Sequence, residues 1–375
     1  MDPFKAIRPY QNHEVQAILS RLINNPDVLR ALLGLKYPAY ALKIPFFQSL
    51  IKLFLKLKAR QIRTVDDYQD IFKGLMDHVI ESSTSQLTLE GDEHLDPGSS
   101  YLFISNHRDI ALDAAFLNLL LSRKGHTTFN IAVGNNLMEE DWASDLMRLN
   151  KSFIIQRSGA SKKEIYSGLA LASQFIQETI FHKDESVWIA QKQGRAKDGV
   201  DQTDPALLKM IHLAERKSKP IAEYFNSLKV VPISISYELD PNDRLKAFEV
   251  AAGDSDTPYI KEKNEDLKNI AHGVQGFKGH VHIAISDPLT LSSEITYEDL
   301  ATLITNKIVS NYYLHPTNYA AYEMLNPGSS ISKDHFDPSH IQELSLRLEG
   351  LSDSVRSKLL EQYANPLIQQ TLLNN

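Results

Sequence analysis

The chain has 375 residues, of which 42% are hydrophobic and 23% charged; its net charge is -7 and it contains no cysteine. Disulfides, thiolate metal sites and a cysteine nucleophile are therefore excluded, and the negative balance disfavours bulk attraction to nucleic acid. The N-terminus MDPFKAIRPYQNHEVQ has no apolar core like a signal peptide's, and no run approaches the roughly 20 apolar residues of a bilayer span. A cytoplasmic protein is expected, at most peripheral on the cytoplasmic face of the inner membrane.

Residues 1–85 read as a helical region. Its charge is uneven: from Val28 to Val65 there is no Asp or Glu, but Arg30, Lys36, Lys43, Lys52, Lys56, Lys58, Arg60 and Arg63 are all basic. Within it, IPFFQSLIKLFLKLKAR places Phe46, Phe47, Leu50, Ile51, Phe54 and Leu55 on one stripe and Gln48, Lys52 and Lys56 on another. That spacing predicts an amphipathic helix with a basic polar face. TVDDYQDIFKGLMDHVIESS predicts a second helix.

From residue 86 to 292 strands alternate with helices, which indicates an α/β domain. SSYLFIS reads as a strand, DIALDAAFLNLLLSR as a helix, and TFNIAVG and KSFIIQR as strands. SKKEIYSGLALASQFIQETIFHK is a long helix with Ser161 as its cap. SVWIAQ, KVVPISISYE, AFEVAAG and GHVHIAIS follow as strands rich in Val and Ile. Residues 293–375 return to helical periodicity, broken by the loop segment NPGSSISKDHFDPSH.

The stretch FISNHRDIALDAAFLN holds the candidate chemistry. His-Arg-Asp occurs in kinase catalytic loops, but the metal-holding Asn of such a loop would fall at Ala114, and there is no Asp-Phe-Gly and no Gly-x-Gly-x-x-Gly. A Gly-x-Ser-x-Gly elbow is also absent. His280 and His282 alternate with Val281 and Ile283, which reads more simply as the solvent face of a strand than as a metal site. Asn106-His107, by contrast, falls where a buried strand turns into a helix, the place where α/β proteins open to ligands. A His there suits a general base, and it needs a carboxylate to orient it. Asp109 and Asp113, four residues apart, are both candidates.

This region resembles the phospholipid/glycerol acyltransferase superfamily, as a divergent member of bacterial type. The resemblance rests on four blocks in order: Asn106-His107 with a following Asp, SFIIQRS with Arg157, QKQGRAKDG with Arg195, Lys197 and Gly199, and VVPISISYE with Pro232. It covers about 130 residues and neither helical flank. It implies a mixed central sheet flanked by helices, of the glycerolphosphate acyltransferase type, with N- and C-terminal helical regions. His107 would be the base, with Asp113 or Asp109 as its partner. The family's Asp stands five residues after the His, where this chain has Leu112; Asp113 is favoured because the LDAAFLNLLL segment fits the family's apolar helix. Asn106, Arg157, Gly194, Arg195 and Lys197 would bind the substrate, Arg157 and Arg195 as fixed cations for an anionic head group.

Two departures stand out. The Glu usual in the third block is replaced by Lys192, beside Gln193, and the Gly usual before the second block by Lys151. The expected activity is transfer of a fatty acyl group from acyl-CoA or acyl carrier protein to a hydroxyl of a glycerol-phosphate, lysophospholipid or related polar-lipid acceptor. The alternative is a catalytically weakened lipid- or acyl-binding relative of the same fold. No metal or bound cofactor is expected, the acyl thioester being a co-substrate. Expected partners are the acyl donor, an anionic lipid acceptor and, through residues 43–60, a membrane surface, with no nucleic acid.

Overall fold

A computed structural model describes residues 2–30, 47–138, 140–159, 161–253, 259, 264–329 and 334–374. Phe46, Lys36 and Lys43 lie outside the described residues. The first half of the chain runs through α1 (Asn12–Asn24), α2 (Phe47–Ala59), α3 (Val65–Ser83), β1 (Gln86–Glu90), β2 (Leu102–Ser105), α4 (Leu112–Arg123), β3 (Asn130–Gly134), α5 (Asp141–Leu149), β4 (Ser152–Ile155) and α6 (Lys162–His182). The second half continues with β5 (Val187–Ala190), α7 (Pro205–Ile211), α8 (Ile221–Ser227), β6 (Val230–Tyr237), α9 (Asp243–Gly253), α10 (Glu265–Gln275), β7 (His280–Ile285), α11 (Tyr297–Ser310), α12 (Pro316–Leu325), α13 (Pro338–Leu348) and α14 (Asp353–Asn374). The expected mixed α/β class is the class observed. By compactness the chain divides into two units, Met1–Leu75 with Asn130–Phe175, and Met76–Phe129 with Ile176–Asn375.

In the first unit β3 and β4 pair in parallel, with Ile131 opposite Ser152 and Gly134 opposite Ile155. Val15, Ile18, Leu19 and Leu22 recur at helical spacing on α1 and bury against Ala59, Val65 and Leu149. The buried Asp145 of α5 is satisfied by the Tyr10 hydroxyl at 2.7 Å and by Arg21 Nε at 2.6 Å. Helix α2 forms as expected, yet it is apolar around most of its circumference. Leu55 and Ala59 pack on the α1 cluster, while Leu50, Leu53, Phe54 and Leu57 are each more than half exposed. Lys151, at the position of the family's usual Gly, takes φ 56°, a left-handed conformation that favours glycine.

The second unit holds a five-stranded mixed sheet in the order β1-β7-β6-β2-β5. β2 pairs in parallel with both β5 and β6, so Phe103 lies between Trp188 and Val231. β7 runs antiparallel to β6 and parallel to β1. All four residues of β2 are buried, which explains the apolar run Leu102–Ile104. Because β2, β5 and β6 are parallel, the loops after all three emerge at one edge of the sheet.

The segment AFEVAAG, expected as a strand, is helical and belongs to α9. Ala247 is fully buried and Ala251, four residues on, is partly buried, both against a cluster of Ala320, Ala321, Leu344, Leu359 and Ala364 from α12, α13 and α14. The four-residue spacing of these small side chains is a helical signal that the short Val/Phe run concealed. Asn242 also starts the helix, its carbonyl accepting from Lys246 N at 2.9 Å. β1 was not anticipated, being a short half-buried strand at the sheet edge.

The expected solvent face of β7 is also corrected. His282 is buried, and the Thr88 hydroxyl of β1 sits 2.7 Å from both His280 Nε2 and His282 Nδ1. The Tyr313 ring packs on His280, His282 and the fully buried His315, whose Nε2 is 3.1 Å from the Ser236 hydroxyl. No metal-binding group of three or more His, Cys, Asp or Glu occurs among the described residues.

Burial, reinforced by His280 and His282, lowers the His315 pKa to about 3. Burial also lowers the pKa of His280 and of His282. The unfolded chain therefore binds protons that the folded chain refuses between about pH 6.5 and pH 3, and stability is lost as pH falls through that window. Urea unfolding at pH 7 and pH 4.5 should show lower stability at the acid value, the His315 contribution being on the order of 2–3 kcal/mol there. His315→Gln should flatten this dependence; an unchanged slope would remove His315 as its source.

Candidate active site

Chain geometry at the end of β2 decides which carboxylate meets the histidine. Asp113 lies in the first turn of α4 and is completely buried. Its Oδ2 is 2.8 Å from His107 Nδ1 and also accepts from the backbone N–H groups of Arg108 at 2.7 Å and Asp109 at 3.0 Å. Its Oδ1 accepts from the Tyr237 hydroxyl at 3.0 Å. Asp109 turns elsewhere: its Oδ1 accepts from Ala111 N and Leu112 N, both at 2.9 Å, and shapes the turn into α4. Burial, then the adjacent Asp113 charge, push the Asp109 carboxyl up. Helix α10 closes over it so tightly that a Cβ at Gly273 would stand 2.1 Å from Asp109 Oδ2.

The six-residue interval is accommodated because residues 106–111 form a loop before the helix begins at Leu112, rather than a first helical turn. The His107 side chain keeps 14% of its surface exposed, and its imidazole packs edge-on against Trp188 at 5.8 Å. His107 Nε2 has no hydrogen-bond partner among the described residues. A neutral imidazole donating Nδ1–H to Asp113 thus presents Nε2 as a proton acceptor.

The remaining letters of the motif serve the scaffold. Asn106 is fully buried, and its side chain continues the β2–β6 ladder by exchanging hydrogen bonds with Ile235 at 2.7 and 3.0 Å. Its second amide contact is Asp201 at 3.0 Å, so protein groups occupy the amide expected to bind substrate. Arg108 is buried, pairs with Asp201 at 2.6 Å and stacks on Tyr312 at 5.2 Å. The Arg108 carbonyl accepts from the fully buried Lys246 Nζ at 2.7 Å. Asp201, Tyr237 and Lys246 were not anticipated. Only Tyr237 left a sequence signal, as the last polar residue of a buried strand parallel to β2.

The third block crosses directly beneath this loop. Ala196 N donates to the His107 carbonyl at 2.9 Å, and Gln191 N to the Ser105 carbonyl at 2.7 Å. Arg195 is half-buried, and its Nη1 is buried without a hydrogen-bond partner among the described residues. Gly194 takes φ 78° in the exposed part of the loop. Lys197 forms an ion pair with Glu249 on α9, which leaves it less available to a ligand than expected. Lys192, in the place of the family's Glu, folds back onto the Val200 carbonyl at 3.1 Å. Gly199, at φ 77°, is pressed against α14, where a Cβ would stand 2.1 Å from the Gln362 carbonyl oxygen. Arg157 belongs to the first unit: its backbone N–H donates to Asn135 at 3.1 Å, and burial lowers the pKa of its guanidinium.

Residues 86–236 match the family model described as Acyltransferase. That match spans the strands β1, β2 and β5 and nearly all of β6. No curated protein shows a significant match to the chain. Among solved structures, the 1-acyl-sn-glycerophosphate (LPA) acyltransferase PlsC of Thermotoga maritima aligns at 15% identity and a TM-score of 0.38, over 78% of this chain and 92% of that one. The matched residues contain the His107–Asp113 pair and the Arg195 loop; the C-terminal helices that brace this loop lie beyond them.

Asp201→Ala removes the carboxylate that neutralises Arg108 and bonds Asn106, leaving a cation buried without its partner. Urea unfolding should show a loss of about 3–5 kcal/mol. A loss below about 1 kcal/mol would mean that the pair does not hold the loop.

Proposed function

We propose that the protein transfers a fatty acyl group from acyl-CoA or acyl carrier protein to a hydroxyl of a glycerol-phosphate, lysophospholipid or related polar-lipid acceptor. The observation that carries this reading is the His107 imidazole, held at Nδ1 by Asp113 with Nε2 free of partners among the described residues, inside the segment that matches the Acyltransferase family model. His107 Nε2 takes the proton of the acceptor hydroxyl as the oxygen attacks the thioester carbonyl. The tetrahedral intermediate collapses, the carbon–sulfur bond breaks, and the imidazolium returns a proton to the leaving thiolate. Asp113 fixes the tautomer and offsets the positive charge on His107. No bound metal or cofactor enters this scheme.

Arg195 is the anchor for the acceptor's phosphate in this reading, supported by its cationic group having a buried nitrogen without a partner among the described residues. Arg157 is a second candidate anchor on the strength of the sequence resemblance alone. His107→Ala should lower thiol release from acyl-CoA or acyl carrier protein by ~1,000-fold with unchanged circular dichroism. Undiminished acyl transfer by that variant would defeat the mechanism. Thiol release by the wild type with any hydroxyl acceptor separates the enzyme from a weakened acyl-binding relative.

We also assign a membrane-surface role to α2. No described helix is long and apolar enough to cross a membrane. On α2, however, Leu50, Leu53, Phe54 and Leu57 are exposed alongside Lys56 and Lys58. Apolar groups beside lysines suit the boundary of an anionic bilayer, where each Lys is worth about 1 kcal/mol. Replacing Lys52, Lys56 and Lys58 together by Glu should reduce co-sedimentation with vesicles of anionic phospholipid; unaltered binding would count against this face.

A further inference from the structure

We propose that Tyr237 is a positioning residue for the proposed reaction, holding Asp113 against His107 through a hydrogen bond from its hydroxyl. This inference rests on the acyl-transfer reading and extends it to a residue on a different strand.

Asp113 has two oxygens with unequal support. Oδ2 receives His107 Nδ1 and two backbone N–H groups from its own loop. Those three donors all meet one oxygen and all come from the loop itself, so they hold the carboxylate only as firmly as the loop is held. Among the described residues, Oδ1 receives only the Tyr237 hydroxyl, from the end of β6. A donor on the second oxygen fixes the carboxylate plane, and with it the direction in which Oδ2 meets the imidazole.

Tyr237 is well placed for this. It is 5% exposed and ends a fully buried strand that pairs in parallel with β2. The two strands bring hydroxyl and carboxylate together from positions 124 residues apart. Tyr237 also lines a small recess together with Arg108, Asp240, Tyr312, Gln362 and Tyr363. Burial, followed by the charges of Asp113 and Asp109, raises the Tyr237 pKa well above the ordinary tyrosine value. The phenol therefore stays protonated, and donates, at any pH where the enzyme would work.

As His107 accepts a proton, positive charge appears beside Asp113. A carboxylate out of line at that moment misdirects Nε2 from the acceptor hydroxyl, so the loss falls on turnover rather than on substrate binding. The test is steady-state thiol release by the full-length protein with Tyr237→Phe, across pH 5.5 to 9. Turnover should fall about 10-fold at neutral pH with KM unchanged, and the acid limb of kcat should move to higher pH, because a carboxylate relieved of one donor makes the His107–Asp113 pair hold its proton more tightly.

Wild-type kcat and pH profile in the Phe variant would overturn the proposal. So would a fall in kcat with an unchanged pH profile, because a smaller fraction of folded protein produces that result. Should Tyr237→Phe fail to fold, incorporation of 3-fluorotyrosine at 237 keeps the ring and strengthens the donor. The acid limb should then move to lower pH, and an unmoved limb overturns the proposal. A wild-type protein that releases no thiol with any acceptor defeats the acyl-transfer reading and this inference together. A turning-over wild type with an indistinguishable Phe variant defeats only the inference.

Discussion

A carboxylate with no exposed surface must have its lone pairs filled, because burying them unpaired is costly. Asp113 is such a group, and much of the second unit is arranged to fill them. Two donors come from the backbone of residues 108 and 109, one from His107 and one from Tyr237. For those donors to converge, the chain after β2 must stay in a loop through residue 111 and start its helix only at Leu112. The extra residue between His107 and Asp113 is thus a condition of the arrangement.

The loop itself is held by a second buried charge pair. Arg108 and Asp201 bring the ends of β2 and β5 together, and Lys246 reaches in from α9 to the Arg108 carbonyl. Ion pairs of this kind contribute little net stability, since desolvation offsets their attraction. Their value is geometric: a buried guanidinium tolerates few alternative positions once its partner is fixed. α14 presses on Gly199 within the same loop, so the C-terminal helices brace the chain beneath His107 although they hold no residue of the family blocks.

Much of this was legible in the sequence where a residue's type and its neighbours suffice. The buried strands β2 and β5 follow from short apolar runs and β6 from its Val and Ile, and His107 stands out as a titratable group at a strand end. AFEVAAG misled because Val and Phe count toward strand propensity, while its helix depends on where Ala247 and Ala251 find Ala320 and Ala364. His282 misled for a related reason: alternation marks which side chains share a face, but Thr88 and Tyr313, from distant segments, cover that face.

The sequence by itself determined the α/β class, the candidate base and the basic, apolar character of α2, because composition and local period are properties of neighbouring residues. The choice of Asp113 over Asp109 was decided only by the tertiary structure. Both carboxylates lie within six residues of His107, and helix spacing alone permits either. The decision comes from the backbone N–H groups that the loop turns toward Asp113, and from a tyrosine hydroxyl delivered by a parallel strand. Contacts of that kind depend on strand order and register, which local pattern does not carry.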